Sequence, residues 1–388
     1  MTRFLTAALL TLLMAAPSWA APPRAAPPGP SSESLQACAR AVNAGRPPGP
    51  RDAVLSRGVN MTTLFDPAPN ASQDAADIRT LKAAGIRHVR IPFDPVWVLS
   101  WPASGAPDEK LRRLDSFVCA VLRQDIAVIL DNHGGGLHPT DAIPEDALPR
   151  LGAAWDRMAA RYAVFTPDLM VFEALNEPAF TDGKRWEPWQ RELLAHIRAA
   201  APNHTVLLTA SPDDTPWALS ALAPLPDDNL AYVFHFYSPG LFTTQGANWV
   251  VPSLESVRGL KYPAEPGNVR AVAAQAAASH RQDLANYGRD YADTRALQAE
   301  IDVAAHWAQS HHVRLMVTEF GVFNGAVPLE SRAAWLRDVR QTLEQRSIGW
   351  TVWEYRGGFG IAPDLQGPCG RTSARDALGL CPSGRGAP

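Results

Sequence analysis

Cysteine is scarce in this chain: there are four, Cys38, Cys119, Cys369 and Cys381. None stands in a C-x-x-C pair, so the spacing excludes a thiolate zinc site. Charge is thin as well. Only 19% of the 388 residues are charged, the formal net charge is −3, and no basic block occurs, so nucleic acid is not an expected partner. Phosphate-binding loops are missing too. Gly134-Gly135-Gly136 has no G-K-[ST] after it, and Gly58-Val59-Asn60-Met61-Thr62-Thr63 is not the glycine-rich turn of a dinucleotide site. Past the N-terminus no apolar run is long enough to span a bilayer.

The composition that remains is globular, with 46% hydrophobic residues and 12 tryptophans. Tryptophan offers a flat platform for sugar rings, and the count leans toward carbohydrate. Residues 1–20 read as a secretory signal. Arg3 gives the positive start, Phe4 to Ala16 the apolar stretch, and Ser18-Trp19-Ala20 a small-x-small cleavage site after Ala20. A membrane anchor is the weaker reading of the same stretch. A secreted or periplasmic protein with no membrane contact after cleavage is expected. Residues 21–50 form a Pro/Ala-rich linker with a short helix near Ser34–Asn43. Residues 51–388 then make one domain closed by a C-terminal tail in which Cys369 and Cys381 should pair. Cys119 lies in an apolar helical pattern, where a buried thiol and a bond to Cys38 are both open.

From residue 54 to 355, strand and helix patterns alternate. Strands read at about 54–61, 88–93, 127–132, 169–176, 205–210, 231–238, 314–319 and 348–354. Helices read at 72–84, 109–123, 148–162, 186–200, 294–311 and 331–346. Eight strands with intervening helices predict a (β/α)8 barrel rather than an open doubly wound sheet. The segment from Pro239 to about Arg289, after strand 6, is too long for an ordinary connection and is expected to wall or cover the cleft.

Barrel enzymes carry their chemistry at the carboxyl ends of the strands. Strand 4 runs into Asn176-Glu177-Pro178, and strand 7 into Thr318-Glu319-Phe320-Gly321. Two strand-end glutamates suggest a glycosidase pair. Arg90 stands on strand 2, His133 at the end of strand 3, His235 and Tyr237 at strand 6, and Trp353 at strand 8. Each has an innocent reading alone, and their joint occurrence is what such readings leave unexplained. With N-E-P, H-F-Y, T-E-F-G and V-W-E-Y in this order, the chain resembles glycoside hydrolase family 5, the cellulase family of the retaining (β/α)8 clan, over residues 54–356.

The resemblance implies Glu319 as nucleophile and Glu177 as acid/base, with carboxyls about 5–5.5 Å apart. The charge of Glu319 is expected to raise the pKa of Glu177. Arg90 and Tyr237 would aim Glu319, and Asn176 would bond the sugar 2-hydroxyl. His133 and His235 would orient Tyr237, Glu177 or sugar hydroxyls, and Trp353 would floor the −1 subsite. Trp97, Trp101, Trp217 and Trp249 are possible sugar platforms. Trp155, Trp189, Trp307 and Trp335 fall at helical spacing and read as core, and Glu354 reads as structural. Glu173 stands four residues before Glu177 as a competing carboxylate, and the N-E-P context favours Glu177.

No cofactor or metal is implied, and a monomer is expected. A metal-dependent hydrolase built on His133, His138, Asp141, His235 and a carboxylate is a rival reading, without H-x-H or H-E-x-x-H spacing to support it. A non-catalytic glycan-binding barrel is another. The implied partner is a β-linked polysaccharide or oligosaccharide. The resemblance favours an endo-acting β-1,4-glucanase, with a β-1,3/1,6-glucanase or β-mannanase as alternatives on the same site.

Overall fold

The computed structural model describes residues 32–46, 49, 52–65, 71–101 and 108–382. The expected signal at 1–20 and the first part of the linker lie outside the described residues. Eight parallel strands close on themselves in chain order: β1 (Arg57–Asn60), β2 (His88–Phe93), β3 (Ala127–Asn132), β4 (Met170–Glu173), β5 (Thr205–Leu208), β6 (Leu230–Phe236), β7 (Arg314–Phe320) and β8 (Gly349–Val352). Closure comes from β1 against β8, with Arg57 opposite Trp350 and Val59 opposite Val352. Strands β3 and β6 are buried at every position, as expected where helices cover the outer face and side chains fill the inside. The chain is a (β/α)8 barrel.

The helices follow from apolar spacing. Glu109–Leu122 starts at Asp108, whose carboxylate accepts the Leu111 N–H at 2.7 Å. It buries Leu111, Leu114, Phe117, Val118, Val121 and Leu122, the three-and-four spacing of a helix lying on a sheet. The N-terminal helix Ser32–Asn43 packs outside Glu109–Leu122 and is bonded to it through Cys38–Cys119. Of the two possibilities for Cys119, the structure takes the disulfide. At the end of that helix the Asn43 amide donates to Val164 O and accepts from Thr166 N–H, at 2.8 and 2.9 Å. Cys369 and Cys381 pair as expected. Among the described residues no helix is long and apolar enough to cross a membrane.

The stretch after β6 carries helices Gly240–Thr243, Pro266–Gln275 and Arg281–Asp290. Sequence periodicity does not predict them. Pro266–Gln275 is rich in alanine and buries only Val269 and Val272, so its apolar contrast is weak. The insertion leans on the loop after β7. Thr243 O accepts the Phe323 N–H at 2.7 Å, Gly259 N–H donates to Ala326 O at 2.9 Å, and Trp249 meets Phe323 edge-on with centroids 4.5 Å apart. Phe323 contacts Phe359, which contacts Tyr237. An aromatic file thus runs from the insertion to a residue at the end of β6.

Candidate active site

Arg90 organises the carboxyl end of the barrel. It lies on β2, wholly buried, and a buried guanidinium must have its donors filled. Nε and Nη2 grip Glu173 at 2.7 and 3.0 Å. Nη1 donates to Asn60 Oδ1 at 2.9 Å and to Glu319 Oε1 at 2.7 Å. Nη2 also reaches Asn176 Oδ1 at 2.8 Å and Asp131 Oδ2 at 3.0 Å. Burial opposes its charge, but the carboxylates of Asp131, Glu173 and Glu319 outweigh burial and hold it firmly protonated. Glu173 is therefore an ion-pair partner inside the barrel, not the residue facing the cleft. Burial pushes its carboxyl up, against the pull of the Arg90 guanidinium.

Glu319 owes its direction to an irregularity in β7. Phe234 is opposite Val317, but the next residue, His235, is opposite Glu319, so Thr318 is the extra residue of a bulge. Such a bulge re-aims the side chain that follows it. The second oxygen of Glu319 accepts the Tyr237 hydroxyl at 2.9 Å. Burial first, then Glu319 and Glu177, raise the Tyr237 phenol well above its ordinary value, so it remains a donor.

Glu177 stands just beyond β4, half-buried, with Oε1 2.7 Å from His235 Nδ1. The same Nδ1 is 3.6 Å from Glu319 Oε2. Burial lowers the pKa of His235 to about 4, leaving it neutral. The Thr318 hydroxyl lies 3.1 Å from Nε2, so each ring nitrogen has a hydrogen-bonding partner. Glu177 is raised from the usual carboxylate range, first by burial, with His133, His138 and Arg90 pulling the other way. The cause differs from the expected one, because desolvation exceeds the charge of Glu319. Glu177, His235 and Glu319 each bring one donor atom within 4.8 Å of the other two.

His133 lies at the rim of β3 with Nδ1 2.7 Å from Asp131 Oδ2. Burial disfavours its charge, yet the Asp131 hydrogen bond and carboxylate, with Glu319 beyond, raise its pKa. Its ring lies parallel to Trp353, 6° apart in plane with centroids at 5.8 Å. The Trp353–Glu354 peptide is cis. Glu354 is buried and turned to Thr62, whose hydroxyl it accepts.

The structure thus gathers Arg90, His133, Asn176, Glu177, His235, Tyr237, Glu319 and Trp353 at one end of the barrel. The platform candidates separate. Trp217 is 53% exposed on the short helix Pro216–Ser220 after β5, whereas Trp101 is 8% exposed with its ring against Trp97. Trp97 is half-buried with the Lys110 ammonium 4.4 Å from its ring centre, and Trp249 is half-buried on Phe323. Trp155, Trp307 and Trp335 are core, and Trp189 is half-buried against Phe180.

Reading strand ends passed over Asn60, Asp131, Thr318 and Asp214. Asp131 was signalled by its place two residues before His133, on the same face of β3. His138 bonds the main chain of Glu177, and Asp141 pairs with Arg185 at the surface, so the His133–His138–Asp141–His235 metal set is not assembled. At the Glu177–His235–Glu319 trio, Arg90 and Tyr237 already bond both oxygens of Glu319, and the guanidinium supplies the positive charge a metal would bring.

The profile of Cellulase (glycosyl hydrolase family 5) matches residues 51–358. Endoglucanase 3 of Fibrobacter succinogenes is 26% identical over 337 residues, 79% of this chain but 50% of that protein. Endoglucanase C of Acetivibrio thermocellus is 29% identical over 289 residues, 72% of this chain and 83% of its own length. The chain therefore spans half the length of the first relative and most of the second. Among solved structures, endoglucanase Cel5A of Thermotoga maritima superposes with a TM-score of 0.66 at 26% identity, covering 84% of this chain and 98% of that one. The same enzyme has been seen with cellobiose and with mannotriose, in structures 25% identical to this chain. A family profile spanning the whole barrel makes this chain a glycoside hydrolase of the cellulase family, glycosyl hydrolase family 5.

Proposed function

We propose that this protein is an exported, retaining endo-β-1,4-glucanase that works by double displacement, with Glu319 as nucleophile and Glu177 as acid/base. One observation carries the reading: carboxylate oxygens of Glu177 and Glu319 lie within 4.8 Å. Retaining enzymes need a separation of about 5–5.5 Å between carboxyls, whereas inverting ones need about 6.5–9.5 Å to admit a water.

In the first step Glu319 attacks the anomeric carbon while Glu177 gives its proton to the departing glycosidic oxygen. In the second, Glu177 takes a proton from water, and that water displaces Glu319. Burial favours the protonated form of Glu177 that the first step requires. Arg90 and Tyr237 fix both oxygens of Glu319, so the nucleophile is aligned before substrate arrives. Arg90 occupies the carbonyl oxygen of Asn176, which leaves its amide NH2 to donate to the 2-hydroxyl. Trp353, backed by His133, is the −1 floor, and Trp217 is the most open of the candidate platforms. The relatives named endoglucanases support β-1,4-glucan, and the mannotriose complex of the Thermotoga enzyme makes β-mannan the second reading. The two disulfides fit an oxidising compartment, in keeping with export by residues 1–20 and one catalytic domain over 51–388.

The test is reducing-sugar release by residues 21–388 on carboxymethylcellulose, mixed-linkage glucan, glucomannan, xyloglucan and β-1,3-glucans, beside Glu319→Ala. Turnover on β-1,4-glucan that the variant abolishes is the expected result. Turnover confined to mannan or β-1,3-linked material would replace the substrate and keep the mechanism. Turnover surviving in Glu319→Ala would overturn the mechanism.

A further inference from the structure

Asp214, on the loop after β5, belongs to none of the roles above. We propose that Asp214 is the positioning residue for the acid/base: its carboxylate fixes the main chain of Glu177 and its carbonyl fixes His235, closing a ring across the ends of β4, β5 and β6. The proposal rests on the reading of Glu177 as acid/base.

Glu177 has φ +40°, a left-handed backbone that a residue with a Cβ adopts only when its surroundings impose it. Pro178 follows and has no N–H, so the amide of Glu177 itself is the donor by which the turn can be held. That donor meets Asp214 Oδ2 at 2.9 Å. The other oxygen, Oδ1, accepts the Ala210 N–H at 2.9 Å, and the side chain is fully buried. The carbonyl of Asp214 accepts the His235 N–H at 2.8 Å, and His235 Nδ1 meets Glu177 Oε1 at 2.7 Å. Glu177 is thus held at its backbone by Asp214 and at its carboxyl by a residue that Asp214 also holds.

The neighbouring bonds support the same purpose. Asp213 N–H donates to Pro178 O at 3.0 Å, and the Ser211 hydroxyl joins both backbone groups of Phe180 at 3.0 and 3.1 Å. Asp213 and Asp214 themselves have φ +56° and +50°, a conformation that Asp tolerates better than most side chains. Nothing in the barrel's closure requires this turn, since the β4–β5 pairing ends at Glu173–Leu207. Across to the end of β4, its bonds reach Glu177, Pro178 and Phe180.

A residue that acts through the acid/base should matter in proportion to the proton that the leaving group needs. Dinitrophenolate departs without one, whereas a sugar alkoxide must be protonated as the anomeric C–O bond breaks and the bond to Glu319 forms. The experiment compares Asp214→Asn, which keeps the shape but turns one acceptor into a donor, with Asp214→Ala, Glu177→Ala and wild type. Substrates are cellotetraose and 2,4-dinitrophenyl β-cellobioside, or the matching pair for whichever glycan the panel selects. For Asp214→Asn, kcat/KM on the oligosaccharide should fall about 10- to 100-fold, as a misplacement of about 1 Å would cause. The dinitrophenyl value should stay within about threefold, and azide should accelerate turnover of the aryl substrate. Equal losses on both substrates, or none, would overturn the proposal.

Glu177→Ala must show the same signature more strongly. If it does not, the reading of Glu177 fails; if it does while Asp214→Asn does not, only the present inference fails. Should neither Asp214 variant fold, amide hydrogen exchange on the wild type decides. A protected Glu177 N–H is required, and one exchanging as fast as an open loop refutes the ring.

Discussion

His88 supplies the sharpest test of how this barrel resists acid. It sits on β2, fully buried. Its Nδ1–H donates to Val54 O at 2.8 Å, and Nε2 accepts the Thr351 hydroxyl at 2.7 Å. Gly58 lies against the ring so closely that a Cβ there would stand 1.9 Å from Nε2. The neutral imidazole is satisfied, and a second proton would find no solvent, so burial lowers its pKa from 6.5 to about 4. The unfolded chain binds that proton near 6.5 and the folded one refuses it until about 4. His88 therefore contributes stability that is complete above pH 6.5 and drains away as pH falls toward 4. At about 1.4 kcal/mol per pH unit the gap is worth roughly 3 kcal/mol, of which roughly 2 kcal/mol is lost by pH 5. Urea unfolding followed by tryptophan fluorescence, at pH 7.5 and 5.0, on wild type and His88→Gln measures it. Wild type should lose about 2 kcal/mol more than the variant over that interval. His235, lowered to about 4 in the same way, acts equally in both proteins and cancels. Parallel losses in the two proteins would refute the reasoning.

Tyr237→Phe removes a 2.9 Å bond to a buried carboxylate. Hydrogen bonds to charged groups are worth roughly 1.5–3 kcal/mol, so kcat should fall about 10- to 100-fold with KM little moved, and an unchanged kcat would exclude Tyr237 from aligning Glu319. Because burial raises the Glu177 carboxyl, kcat/KM should decline with rising pH through a pKa above the ordinary 4.5, as the acid form is lost. An alkaline limb at 4.5 would contradict that. The Cys38–Cys119 bridge closes 81 residues and Cys369–Cys381 closes 12. Loop-closure entropy assigns them roughly 4.5 and roughly 3 kcal/mol, so replacing the first pair by serine should lower the unfolding midpoint more than replacing the second, and the reverse order would sink the entropic account.

Much of this was legible because strands and their endings follow short-range rules. The apolar runs of β2 and β3 match the strands in the structure residue for residue, and the polar residues that end them gather because parallel strands share one carboxyl end. Less legible was where a strand stops bonding regularly. The apolar run through Leu175 suggests a strand reaching Asn176, yet β4 ends at Glu173 and Ala174 and Asn176 bond singly, to Leu207 and Asn132. Bulges are likewise invisible to alternation, so Thr318 reads as an ordinary strand residue although it sets the aim of Glu319. Asp214 was hidden for a different reason. In Ser211-Pro212-Asp213-Asp214-Thr215 it looks like turn chemistry, and only three-dimensional proximity shows that its carboxylate reaches Glu177, 37 residues away.

The charge around Arg90 explains why so many acids surround one base. A guanidinium bonded to Glu319 alone could swing with it. The bidentate grip of Glu173 fixes the guanidinium plane, and Asn60 and Asn176 occupy further directions, so the donor facing Glu319 Oε1 has one available position. Lysine at 90 could supply the charge but not the fork, and would leave Glu173 or Glu319 unpaired in the interior. Asp131 then links this centre to the rim. It touches both Arg90 and His133, so its charge favours the protonated form of the imidazole at the cleft edge beside Trp353. Three buried acids, Asp131, Glu173 and Glu319, thus face one guanidinium in the interior. On the proposed mechanism these carboxylates would face an oxocarbenium-like centre between Glu319 and Glu177, while burial, against the pull of His133, His138 and Arg90, favours the proton on Glu177.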